Sequence, residues 1–122
     1  MVALNSFKYA LRGLKAVIKS ERNAKIHLFL AFLAIVFSIV LRVGVLEFLF
    51  VFLSIVLVIF AEIVNTAIEK TLDLISQENN HAIQITKDMM AAAVLLTAMG
   101  AVVVAFIVFV PRLIEIIKPF IK

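Results

Sequence analysis

A chain of 122 residues with 65% hydrophobic and 16% charged side chains has room for one domain, but no soluble interior of that size could hide so much apolar surface. Part of its solvent must therefore be lipid. The absence of Cys excludes disulfides, thiolate metal ligands and a cysteine nucleophile, and a formal charge of +4 is too modest to suggest a nucleic-acid partner.

Residues 3–20 read as an amphipathic helix. Lys8, Arg12, Lys15 and Lys19 follow one another at helical spacing on one face, and Leu4, Phe7, Leu11, Leu14 and Ile18 repeat on another. A helix with basic and apolar faces lies in the membrane interface. No compact apolar run and no small-residue cleavage site make this segment a signal peptide. A first span is expected over about 26–43, flanked by Lys25 and Arg42, whose stems can snorkel outward. The stretch from Arg42 through Gly44 to Glu47 reads as a tight turn. A second span, about 48–72, is long enough to cross only if Glu62, Asn65 and Glu69 belong to it. The third, about 88–110, rises ~33 Å over its apolar run, and Pro111 and Arg112 are expected to close it.

The expected class is therefore all-α and integral to the membrane: three transmembrane helices behind an N-terminal surface helix, forming one domain over 1–122. Three spans put the termini on opposite sides. The N-terminal flank holds six basic residues against the single acidic Glu21, so the positive-inside rule places it, and the loop between the second and third spans, in the cytoplasm.

Polar residues at the end of the second span carry the chemistry. Carboxylates at membrane depth are expensive and mark function or a polar partner. At the helical angle of 100° per residue, Glu69 lies about 20° to one side of Glu62 and Asp73 about 20° to the other. Thr66 falls near the same line, with Asn65 beside it. Seven residues of helix are ~10 Å of rise, too far for Glu62 and Glu69 to share a proton or grip one metal together. The deeper carboxylate, Glu62, suits a general base acting on a hydroxyl. The shallower Glu69 suits a hard cation such as Mg²⁺, which keeps several waters and takes one or two carboxylates plus substrate phosphates. Glu21 can supply a second carboxylate, and Lys87 and Asp88 add a cation and an anion at the same level. Metal, lysine and base at one water–lipid boundary point to phosphoryl transfer onto a membrane alcohol. Two simpler roles remain open for these residues: hydrogen bonds between helices, or a proton pathway. His27 and His81 read as interfacial or capping residues rather than ligands. No Gly-rich phosphate loop is present, so a nucleotide must be held by metal and side chains.

The run Glu62-Ile-Val-Asn65-Thr66-Ala67-Ile-Glu69-Lys-Thr-Leu-Asp73 resembles the signature of the small prokaryotic diacylglycerol kinase/undecaprenol kinase family. Phe7-Lys-Tyr9-Ala10-Leu-Arg-Gly13 is similar to that family's surface helix. Glu21-Arg22-Asn23 with His27 resembles the start of its first span, and Lys87-Asp88-Met-Met-Ala-Ala-Ala-Val-Leu95 the start of its third. The resemblance covers nearly the whole chain. It implies a homotrimer in the bacterial cell membrane, with shared active sites on the cytoplasmic side, that uses ATP and Mg²⁺ to phosphorylate a lipid alcohol. By the same resemblance Glu62 is the general base, Glu21 and Glu69 the metal pair, and Tyr9, Asn65, Asp73, Lys87 and Asp88 line the nucleotide and active site. Undecaprenol is the favoured alcohol and diacylglycerol the alternative; a non-catalytic protein with structural or proton-relaying carboxylates is a more distant one. The chain departs from the family where a frequent His is replaced by Asn80, with His81 one position later. It departs again where a small residue after Lys87-Asp88-Met89 is Met90, and in lacking Trp.

Overall fold

A computed structural model of the chain describes residues 2–78 and 80–121. Four helices follow one another: α1 (Val2–Ser20), α2 (Arg22–Val40), α3 (Val45–Ile75) and α4 (His81–Ile117), with a 3₁₀ turn at Lys118–Phe120. No strand occurs among the described residues. The last three helices are long and apolar enough to cross a bilayer. The protein is thus an all-helical, multi-pass membrane protein with an N-terminal helix, as the apolar runs indicate.

α1 presents no buried residue, in keeping with a helix that lies on a surface. The Arg12 guanidinium stands 5.5 Å from the centre of the Tyr9 ring, a cation–π contact on its polar side. One residue separates α1 from α2. Glu21 is extended (φ −118°, ψ 121°), and its N–H still donates to the Val17 carbonyl at 3.0 Å.

The spans differ from their sequence limits at every end, and local chemistry explains why. α2 stops at Val40 instead of reaching 43. The Val43 N–H donates to the Ser38 carbonyl and the Arg42 N–H to that of Ile39, both at 3.2 Å. This is the Schellman ending, and it needs a left-handed residue at its C′ position. Arg42 takes that role at φ 53°, not the nearby glycine. Gly44 instead begins α3 in extended conformation, so Glu47 lies in the first helical turn and not in a loop. A carboxylate there meets the positive end of the helix dipole. α3 then runs on to Ile75, three residues past the expected limit. α4 starts at His81, well before Lys87, because the Asn80 side chain accepts the Ala82 N–H at 2.8 Å and caps it.

The expected stop at Pro111 is also corrected, since α4 passes through it to Ile117. Proline removes one bond from the ladder, but spanning helices tolerate this where neighbours re-tie the segment. Here Arg112 Nη2 donates to Glu47 Oε1 at 2.8 Å and joins the segment beyond the proline to the start of α3. Both side chains are about one-third exposed, so the pair is partly screened. Glu47→Gln is expected to lower the melting midpoint in detergent by no more than a few degrees while leaving catalytic rate unchanged. A circular-dichroism melt beside an activity assay checks both.

Leu41, Val51, Val108 and Phe109 form the buried apolar cluster at this end, with Phe37 meeting Phe109 edge to face at 6.0 Å. Elsewhere, large apolar side chains face outward, including Phe29, Phe32, Phe50, Phe60, Phe106 and Ile107. In water such a surface would aggregate, whereas in lipid it is the solvated face. Small residues at helical spacing let the spans approach: Ala24, Ala31, Ala34 and Ser38 on α2, and Ala98, Ala101 and Ala105 on α4. The Ser38 hydroxyl donates to the Ala34 carbonyl at 2.8 Å and so brings no unsatisfied donor to the interface.

Candidate functional site

Buried side chains on α3 gather on one stripe: Val51, Val58, Ala61, Glu62, Asn65 and Thr66. The first three are apolar packing. The last three turn the same stripe polar where α1, α2 and α3 meet. Glu62 is 2% exposed, Asn65 8% and Thr66 1%. The Thr66 hydroxyl donates to the Glu62 backbone carbonyl at 2.9 Å, so it serves the helix and not the carboxylate. Both carboxylate oxygens of Glu62 and the Asn65 Oδ1 have no hydrogen-bond partner among the described residues. An unpartnered buried carboxylate is costly, and such a group is retained for chemistry or for a partner that arrives later.

The surface helix closes over this carboxylate. Leu14, Val17 and Ile18 of α1, Ala24 and Leu28 of α2, and Ile59 and Ile63 of α3 wall a space that also touches Glu62 and His27. Its volume of about 10 Å³ is no more than one water position. The apolar face of α1, expected to lie in the membrane interface, thus partly shields this carboxylate from water.

His27, expected to be an interfacial or capping residue, lies near the start of α2 and packs toward α3 rather than capping a helix. Its Nε2 stands 3.6 Å from Glu62 Oε2, with the His27 side chain 19% exposed and that of Glu62 3%. The signal was present in α2: His27 occupies one place in the series Ala24, His27, Ala31, Ala34, Ser38, Leu41, spaced three and four apart on the packing face. A histidine on a packing face faces another helix. His81, by contrast, is the exposed first residue of α4, following its cap.

Besides His27, the carboxylates of Glu21 and Glu69 lie near enough to Glu62 to influence it electrostatically. Glu21 sits on the extended residue joining α1 to α2, and Glu69 lies two turns beyond Glu62 on α3; each is half-buried. Neither side chain makes a hydrogen bond or ion pair among the described residues, so both are available. No cluster of three or more potential metal-binding side chains occurs among the described residues. Such a donor set does not fit a cation that needs a protein cage. It does fit Mg²⁺, which takes few protein oxygens and keeps its remaining positions for water and phosphate.

Farther along, Lys87 Nζ donates to Asp73 Oδ1 at 2.9 Å and ties α4 to α3. Asp88 points elsewhere and accepts from Gln84 Nε2 at 3.0 Å on the exposed side of α4. Tyr9 remains 60% exposed on α1, in contact with Arg12. Within one chain, neither Asp88 nor Tyr9 makes a hydrogen bond or ion pair to the Glu62 group.

On the other side of His27 lies a larger space of about 340 Å³ between α2, α3 and α4. Its walls include Ala31, Ala34, Val58, Ala101 and Phe109, and its lining residues with polar side chains are His27 and Ser54. The Ser54 hydroxyl is already committed to the Phe50 carbonyl at 2.8 Å. The space is therefore apolar along its length, with an imidazole at the end nearest Glu62.

A family model described as prokaryotic diacylglycerol kinase matches residues 8–109 of the chain. Among curated proteins, the chain is 31% identical over 108 residues to an undecaprenol kinase of Bacillus subtilis, a match covering 88% of each protein. It is 33% identical over 114 residues to a diacylglycerol kinase of Synechocystis, covering 93% of the chain and 65% of that protein. A diacylglycerol kinase of Haemophilus influenzae is 33% identical over 91 residues, which is 75% of the chain and 77% of that relative.

Proposed function

Because the chain belongs to the prokaryotic diacylglycerol kinase family, and is thus a phosphotransferase acting on a lipid alcohol, we propose that it transfers the γ-phosphate of ATP to undecaprenol with Glu62 as the base. The observation that carries this reading is a buried carboxylate with both oxygens free, walled by apolar side chains at the membrane boundary. The acceptor hydroxyl gives its proton to Glu62, its oxygen bonds to the γ-phosphorus, and the bond from that phosphorus to the bridging oxygen breaks to release ADP. Glu21 and Glu69 would hold Mg²⁺, which would supply neutralisation of phosphate charge during transfer. Asp73, Lys87, Asn65, Asp88 and Tyr9 belong to the nucleotide and active-site surface, Asp73 and Lys87 as a fixed pair across α3 and α4.

The apolar space beside His27 supports a plain hydrocarbon alcohol. Apart from His27 at one end and the committed Ser54, its walls offer no donor for the ester carbonyls of a diacylglycerol, whereas a prenol chain needs none. The relatives in Synechocystis and Haemophilus, both named diacylglycerol kinases, keep that alcohol as the second reading. In this proposal the protein is a homotrimer in the cell membrane, completing its sites between neighbouring subunits. The basic flank of α1 sets those sites on the cytoplasmic face.

The test is phosphate transfer from γ-labelled ATP in mixed micelles, with undecaprenol and diacylglycerol supplied separately at equal mole fraction. Faster labelling of undecaprenol is expected. Preference for diacylglycerol reverses the assignment of the alcohol, and labelling of neither removes the kinase reading.

A further inference from the structure

Glu62 needs more than burial to act as a base, because a free glutamate side chain samples several rotamers and transfer depends on placement to a fraction of an ångström. Apart from His27, the side chains walling it on α1, α2 and α3 are apolar, and Thr66, one turn along, is turned onto the helix backbone. The carboxylates of Glu21 and Glu69, when ionised, carry no donor that could hold it. One group remains that can donate to it from a different helix. His27 Nε2 stands 3.6 Å from Oε2, a gap that a small side-chain rotation closes to hydrogen-bond length.

We propose that His27 is a positioning residue for Glu62: its Nε2–H holds Oε2, leaving Oε1 directed at the acceptor hydroxyl. The inference rests on the kinase reading and adds to it a residue that acts through the base. It requires the imidazole proton on Nε2, which both the neutral Nε2–H tautomer and the cation supply. It also explains why a polar ring interrupts the small-residue face of α2. Ala24, Ala31, Ala34 and Ser38 let helices approach, while His27 spends the same packing position on one directed bond. Since His27 also lines the apolar space, it stands between the base and the space assigned to the hydrocarbon chain.

The full-length protein in mixed micelles tests this with His27→Leu, His27→Gln and Glu62→Gln, alone and combined. His27→Leu is expected to lower kcat about 10–100-fold, the scale on which partners that orient a functional group act, with KM for ATP unchanged. His27→Gln, whose amide N–H falls near the Nε2 place, is expected to recover most of the rate. In the Glu62→Gln background, His27→Leu should cost nothing further, because the two side chains act as one unit. The proposal is overturned if His27→Leu stays within twofold of the wild type. It is also overturned if Gln and Leu are equally slow, if the loss recurs in full beside Glu62→Gln, or if only the KM for lipid changes. Should His27→Leu not fold, His27→Asn carries the test, since its amide falls near Nδ1 and misses Glu62. Asn as fast as Gln then sinks the idea. A wild-type protein that labels neither alcohol fails earlier and removes the kinase reading itself, so the two failures are distinct.

Discussion

Glu62→Gln is expected to slow phosphate transfer by roughly 10²–10⁴-fold, the usual contribution of a positioned general base, while leaving KM for ATP near its wild-type value. The amide has the shape of the carboxylate and fits the same space between α1, α2 and α3, so the fold should survive. Stability is expected to rise, because a neutral amide costs less to bury without a partner than a carboxylate does. The comparison thus separates the chemistry of Glu62 from its place in the packing. Steady-state rates in micelles, with a thermal melt of the same sample, provide the measurement. Full activity in the variant would falsify the base assignment and leave Glu62 as a polar contact between helices.

The second large effect is expected from Glu69→Gln. Loss of one anionic ligand removes charge that a hard cation needs, so the Mg²⁺ concentration for half-maximal rate should rise about 10–100-fold or more. At the wild-type optimum of Mg²⁺ the variant should be slow, and added Mg²⁺ should restore part of the rate. Glu21→Gln should behave alike, because it is the other half of the proposed metal pair and its carboxylate likewise has no hydrogen-bond or ion-pair partner among the described residues. A Mg²⁺ titration at fixed ATP distinguishes this from a fold defect, which extra cation does not repair. Slow transfer with an unchanged Mg²⁺ requirement would remove Glu69 from the metal.

What could be read from the sequence follows from what a single helix dictates. The stripe of Glu62, Asn65, Glu69 and Asp73, with Thr66 near its line, was legible because angular position depends only on residue spacing within α3, although burial ends before Glu69 and Asp73. The three spans were legible for a similar reason, since lipid selects long apolar runs. Their ends were not, because they rest on capping. Arg42 in a left-handed conformation, Asn80 accepting from Ala82, and Arg112 anchoring the chain past Pro111 each override the nearest glycine, charge or proline as a marker. His27 shows the deeper limit. Its neighbour lies 35 positions away on another helix, and only the packing of α2 on α3 brings the two together. Glu21 could be offered as a second carboxylate from its place at the entrance to the first span, but its proposed pairing with Glu69 rests on family resemblance, since no spacing rule relates a residue between two helices to one near the end of a third.

Glu21 is the one non-helical residue between Val2 and Val40. α1 and α2 are therefore two rigid rods meeting at a single pivot, and the pivot residue is a proposed Mg²⁺ ligand. Any force that rocks α1 in the bilayer surface, such as a change in headgroup charge beneath Lys8, Lys15 and Lys19, acts as torque on that carboxylate. By thermodynamic reciprocity, a bound cation would stiffen the joint and fix the attitude of the surface helix. Lipid composition and cation affinity would then be two readings of one mechanical coordinate.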